Sequence, residues 1–125
     1  MKYEVTIKTD ITDRPKDHEL SAALILANYF KRDVIFLRPQ FDKTPDIEVA
    51  GVHWEIKSPR GDGKKTIDNN FRAARKQSLN IVMDLRRIKM HRSKATVRIR
   101  SFLSTPHRFK KILIITKDQK VIEIL

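Results

Sequence analysis

Apolar side chains recur along this chain with two different periods, and the switches between them mark out the elements. Leu20, Ala23, Leu24 and Ala27 repeat at helical spacing, with Phe30 at the far end. They predict a helix from Asp17, placed as its N-cap, to about Arg32. Val34 to Leu37 is a compact apolar run that reads as a buried strand, and residues 39–45 read as a loop. DIEVA (46–50) and VHWEIKS (52–58) then alternate apolar and polar positions on either side of Gly51, the clearest hairpin pattern in the chain. Thr66 is placed to cap a second helix from about Ile67 to Leu79, with Ile67, Phe71, Ala74 and Ser78 on its inner face. NIVMDL (80–85) reads as a strand and 86–94 as a basic connector. Residues 95–104 carry both periods. Ala95, Ile99, Phe102 and Leu103 fit a helix, Val97 and Ile99 an alternation, and the helix accounts for more of them. KILIIT and VIEIL close the chain as a hairpin around Lys117–Lys120.

Ahead of these elements, residues 1–8 suit a short strand or an extended arm, and 9–16 a linker. The expected organisation is an N-terminal arm, 1–16, and a single domain, 17–125. The fold class is α/β (α+β), a mixed β-sheet with flanking helices in two or three layers.

Charge changes the picture more than size does. The chain has 125 residues, enough for one core, and a net charge of +12. A small domain that basic meets a polyanion: nucleic acid, an anionic membrane or an acidic partner. No stretch approaches the ~18 apolar residues that span a bilayer, and MKYEVTIKTD lacks the apolar run of a signal peptide. Without cysteine, disulfides, thiolate nucleophiles and Cys-based zinc sites drop out.

A two-residue turn at Ala50–Gly51 pairs Val49 with Val52, Glu48 with His53, Ile47 with Trp54 and Asp46 with Glu55. One face of the hairpin is then Ile47, Val49, Val52, Trp54 and Ile56. The other is Asp46, Glu48, His53, Glu55 and Lys57. Directly opposed like charges are destabilising, so Asp46 facing Glu55 calls for a cation between them. Mg²⁺ would answer, held by Asp46 and Glu55 plus water and substrate phosphate. Lys57 could position or deprotonate the attacking water, or steady charge on the phosphorane oxygens. A solvated charge ladder is the plainer account of such a face. The strand context, with an Asp opposite and a helix on either side, favours chemistry.

Helix–strand–strand–strand–helix–strand, with Pro45-Asp46 on the second strand and Glu55-Ile56-Lys57 on the third, resembles the PD-(D/E)xK nuclease core. That resemblance implies an acidic residue on the first helix, matched by Glu19 in His18-Glu19-Leu20, and a Gln on the second, matched by Gln77. More of the chain, 17–125, resembles the C-terminal tRNase domain of contact-dependent growth inhibition toxins, the CdiA C-terminal family. HELSAALILA, PDIEVAGVHWEIKSP, TIDNNFRAARKQSLNIVMDL and KKILIITKDQKVIEIL carry it. It implies a toxin that hydrolyses tRNA in the cytoplasm of a target cell, delivered as part of a larger secreted protein and neutralised by an immunity protein. Against so basic a surface that immunity protein is expected to be acidic. A metal-independent RNase of the barnase–EndoU–colicin–RelE type is the alternative chemistry; there Lys57, His18 and Thr66 would matter more than Asp46.

The same residues could serve a metal-dependent DNA endonuclease of restriction or resolvase type. The basic residues alone could serve a binding module without chemistry. Expected substrate contacts are Ser58, Arg60, Lys64, Lys65 and Thr66, in and beside the glycine-bearing loop that follows the ExK strand, with Arg86 and Arg87. Those two arginines open a block of ten Lys or Arg, and no Asp or Glu, running to Lys111. His53 is expected to pair with Glu48, His91 and His107 to be solvated, Trp54 to be core, and Asn69 to cap a helix or touch substrate.

Overall fold

The computed structural model describes residues 3–9, 14–39 and 44–125. The elements run β1 (Val5–Ile7), α1 (Asp17–Phe30), β2 (Val34–Phe36), β3 (Ile47–Val49), β4 (Val52–Lys57), α2 (Thr66–Ala74), β5 (Asn80–Asp84), α3 (Arg92–Leu103), β6 (Lys111–Ile115) and β7 (Val121–Glu123). Parts of the expected 9–16 linker and 39–45 loop lie outside the described residues.

The seven strands form one sheet whose spatial order is their chain order. β1 pairs parallel with β2, and β4, β5 and β6 are mutually parallel. The hairpins β2–β3, β3–β4 and β6–β7 are antiparallel. Each parallel pair needs a crossover connection, and α1, α2 and α3 supply the three. The expected mixed sheet with flanking helices is therefore present. Of the two readings of residues 1–8, a strand is the one adopted, and it forms one edge of the sheet.

Alternation along β5 and β6 decides between two layers and three. Val82, Leu113 and Ile115 pack with Ala22, Ala23, Leu26 and Ala27 of α1. Ile81, Met83, Ile112 and Ile114 pack with Ile67, Phe71 and Ala74 of α2 and Ala95 and Ile99 of α3. Both faces of these strands are covered, as parallel strands require, so the domain has three layers. An ion pair between Arg98 and Asp68, at 2.8 Å, links α3 to α2.

The β3–β4 hairpin has the predicted register, Val49 with Val52, Glu48 with His53 and Ile47 with Trp54. Ala50 (φ 48°) and Gly51 (φ 82°) both lie in the left-handed region, as a two-residue hairpin turn of the favoured twist demands. Helix ends differ from expectation by a residue or more. Lys16 and Lys65, not Asp17 and Thr66, are the N-caps. α1 ends at Phe30, where Lys31 turns left-handed. α2 stops at Ala74, because the N–H groups of Lys76, Gln77 and Ser78 bond to Ala73 and Ala74 in tight turns. α3 begins at Arg92, three residues before the expected start, with the His91 ring accepting the Ser93 N–H as a cap.

Candidate active site

The C-terminal ends of β4 and β5, the start of β3 and the first turn of α1 meet at one end of the central strands, a corner between sheet and helix. Each delivers its residues by strand alternation or helix phase. On β4, Trp54 and Ile56 turn into the α1 core. Glu55 and Lys57 therefore point to the opposite face.

Glu55 is 2% exposed, so its carboxyl is no part of a solvated ladder. The Lys57 ammonium lies 3.3 Å from Glu55 Oε2. Glu55 Oε1 is buried and has no hydrogen-bond partner. Burial, and then the Asp46 carboxylate, push the Glu55 carboxyl up to about 8, with Lys57 opposing. Asp46, at the mouth of β3, accepts the Ile56 N–H on Oδ2 at 2.9 Å. Its carboxyl is also raised, mainly by burial, and that hydrogen bond works the other way. Two carboxyls on neighbouring strands, both held above their ordinary range, mainly by burial, form a site that welcomes positive charge.

α1 adds Glu19. Its Oε1 accepts the Lys16 N–H at 2.8 Å, closing the start of the helix. The same side chain lines a small cleft of 100 Å³ with Asp46 and Pro45, and its charge is felt by Asp46. His18, one residue earlier, is lowered by burial and by Arg87, while Glu19 and Asp84 pull it up. Arg87 donates from Nε to Ser58 Oγ at 3.0 Å and from Nη2 to the Ser58 carbonyl at 3.3 Å. Asp46, Glu55, Lys57, Ser58, Glu19, His18 and Arg87 thus come together from four separate elements.

The remaining expected residues divide. Arg60, Lys64 and Lys65 are exposed on the loop beyond β4, and Lys65 also begins α2. That loop folds tightly on Thr66. A Cβ at Gly61 would stand 2.9 Å from Thr66 Oγ1, so a larger residue there would require the Thr66 side chain to shift. Gln77 is not brought to the site. It follows the end of α2, and its neighbour Ser78 bonds the His53 carbonyl near the beginning of β4. Arg86, expected to contact substrate, turns inward instead. It grips Asp84 through Nε and Nη2 at 2.9 and 2.8 Å, and reaches α1 at Ser21 Oγ (2.6 Å) and the His18 carbonyl (2.9 Å). Asp84 is fully buried, and its charge needs that partner. Sequence reasoning passed over Asp84 and Ser21. An Asp ending an otherwise apolar strand, two residues before Arg86, was the available signal.

His53 does pair with Glu48, at 3.1 Å, and Trp54 is core, as expected. His91 and His107 are exposed, though each ring also accepts a local backbone N–H.

Residues 43–121 match the family described as the contact-dependent growth inhibition CdiA C-terminal domain. The chain belongs to this family. Its fold is similar to that of a CdiA-CT/CdiI toxin and immunity complex from Burkholderia pseudomallei, with a TM-score of 0.66 and 20% identity over 97% of this chain and 98% of that one. No curated protein matches the chain. The match places the hairpin with Asp46, Glu55 and Lys57 inside the CdiA C-terminal domain segment, while His18 and Glu19 lie before it.

Two features fit a divalent ion. The Glu55–Asp46 pair offers hard oxygen donors, and Glu55 Oε1 is an orphaned buried acceptor. Among the described residues no group of three or more His, Cys, Asp or Glu converges to hold a metal.

Proposed function

We propose that this CdiA C-terminal domain is a toxin ribonuclease that hydrolyses phosphodiester bonds in tRNA, on a PD-(D/E)xK-type site. The observation that supports it most is a buried glutamate paired with a lysine and facing a second carboxyl, set in a surface of net charge +12. Asp46 and Glu55 would hold Mg²⁺. When bound, the ion supplies positive charge at phosphorus and makes a coordinated water more acidic. Lys57 Nζ is placed to donate to a phosphate oxygen or to the attacking water, and Glu19 adds negative charge beside Asp46. Arg87, with Ser58, and the exposed Arg60, Lys64 and Lys65 approach the flanking phosphates.

The related Burkholderia structure is of a toxin with an immunity protein. We infer an acidic immunity protein for this chain too, covering the Lys57 corner or the 60–65 loop, its carboxylates standing where phosphates would. Complementary charge would speed that association at low salt. The site of action is the cytoplasm of a target cell, reached as part of a larger secreted toxin.

The test is incubation of the purified chain with total RNA and with plasmid DNA, each with Mg²⁺ and with EDTA. The expected result is loss of the tRNA band with Mg²⁺ only, plasmid intact, and no cleavage by Glu55→Gln. Plasmid nicking with RNA intact would establish the DNA endonuclease instead. RNA cleavage undiminished in EDTA would favour the metal-independent route. Harmless accumulation of soluble wild-type chain in a bacterial host would overturn the toxin reading.

A further inference from the structure

The basic block from Arg86 to Lys111 is split by the fold, and only its beginning reaches the catalytic corner. Its end lies toward the opposite end of the parallel strands, at the starts of β5 and β6. There the residues after α2 and those before β6 enclose a cleft of 770 Å³ lined by Arg75, Lys76, Phe102, His107, Arg108 and Phe109, with Leu79 and Pro106. None of the lining residues is acidic, and Arg75, Lys76, His107 and Arg108 are all exposed. The two walls are tied by a hydrogen bond from the Lys110 N–H to the Leu79 carbonyl at 2.8 Å.

We propose that this cleft binds a second stretch of the RNA substrate, away from the scissile bond, through phosphate contacts and base stacking; the proposal rests on the ribonuclease reading above. Charge complementarity selects a polyanion. The aromatic lining, in which half-buried Phe102 and exposed His107 keep accessible surface above the buried Phe109, selects one with flat faces. Phe102 stacks on Phe71 at 4.8 Å between centroids, and Phe109 packs on Phe71 at 5.5 Å, so the floor is anchored in the α2–α3 core. The His107 ring leans on Phe109 at 5.7 Å. His107 Nδ1 accepts the Phe109 N–H at 3.1 Å, which in the neutral ring leaves the proton on Nε2, a donor free to face a ligand. The cleft opens at the starts of β5 and β6, whereas Glu55 and Lys57 stand toward the other end of the parallel strands. The five residues of β5 span ~16 Å, a distance a stacked strand crosses in roughly five nucleotides at about 3.4 Å each. A long folded RNA can reach both places and a very short one cannot.

The experiment compares a tRNA-sized RNA with a trinucleotide-length oligonucleotide. Binding is measured on the Glu55→Gln chain, and turnover on the otherwise wild-type chain. Combined Arg75→Glu, Lys76→Glu and Arg108→Glu should weaken binding of the long RNA roughly ten-fold or more and flatten its salt dependence. KM for the long RNA should rise with kcat unchanged, and cleavage of the short oligonucleotide should not move. The milder set Arg75→Gln, Lys76→Gln and Arg108→Gln, and His107→Ala alone, should shift the same readings in the same direction by less. Melting temperatures near wild type would show that the folds are intact. Undiminished long-RNA binding in every folded variant would overturn the cleft while leaving the ribonuclease reading in place. Equal loss on long and short substrates would also overturn it, because the effect would then be general charge. Weakened inhibition by an immunity protein with RNA binding intact would make the cleft a protein-docking surface and overturn it too. Wild-type chain that binds no RNA of either length would remove both readings together.

Discussion

The Lys57 ammonium stands 3.3 Å from one oxygen of Glu55 while the other oxygen of that carboxyl is buried without a partner. One side of the glutamate is therefore neutralised and the other still open to a cation or a proton. Burial first, and then repulsion from Asp46, push that carboxyl up to about 8, so the proton is the occupant below that pH.

This occupancy ties stability to pH. The folded protein keeps the Glu55 proton to about pH 8, while the unfolded chain releases it near the ordinary 4.5. Between those values the folded state binds more protons, so stability falls as pH rises. The group's contribution is complete below pH 4.5 and lost through pH 8. Glu55→Gln mimics the protonated form. Its melting temperature should match wild type below 4.5 and exceed it above 8, in thermal melts across that range. A gap that does not widen with pH would show that Glu55 is not held protonated.

Mg²⁺ should act on the same group in the opposite sense, since binding favours the charged carboxylate. Adding the ion to the wild-type chain above pH 8 should raise its melting temperature, and adding it to Glu55→Gln or Asp46→Asn should do much less. Scanning calorimetry with Mg²⁺ and with EDTA reads the difference. Identical shifts in all three proteins would exclude the carboxyl pair as the ion's site.

Cleavage should depend on the hairpin face and not on its stability. Lys57→Ala and Glu55→Gln should each lower kcat on RNA by roughly a hundred-fold or more, with circular dichroism unchanged. Activity within a few-fold of wild type in both would move the site elsewhere.

Arg86 should behave as a strut. It is the ion-pair partner of the fully buried Asp84 and also binds the first turn of α1. Arg86→Ala leaves that charge unpaired and should destabilise by about 3–5 kcal/mol, whereas Arg87→Ala, whose partner is the Ser58 hydroxyl and carbonyl, should cost far less. Urea unfolding of the two variants makes the comparison, and equal midpoints would refute it.

Nucleic-acid affinity should fall steeply with salt. If about four of the basic side chains meet phosphates, the log–log slope on single-stranded RNA is near −3. Filter binding at several salt concentrations measures it, and a flat response would assign the basic surface to a protein partner.

Local periodicity carried much of the architecture. Alternation on either side of Ala50–Gly51 specifies the hairpin register, because a slip of one residue would turn Trp54 and Ile56 out of the core. The same alternation places Asp46, Glu55 and Lys57 on one face. What periodicity cannot carry is depth and company. Glu55 is buried only because β5 pairs along β4 and α2 packs over that face. Gln77 has a plausible spacing from α2, yet the helix ends at Ala74 and leaves it toward the wrong end of β4. Arg86 belongs to a basic run like its neighbours, but only the approach of α1 to the end of β5 turns it inward to Asp84, Ser21 and the His18 carbonyl. The cleft at Arg75 and Arg108 joins residues more than thirty positions apart, through strands that neither belongs to. Backbone period is a property of neighbours in sequence. Burial, charge pairing and the meeting of distant loops are properties of packing, and these decide which of the polar residues can do chemistry.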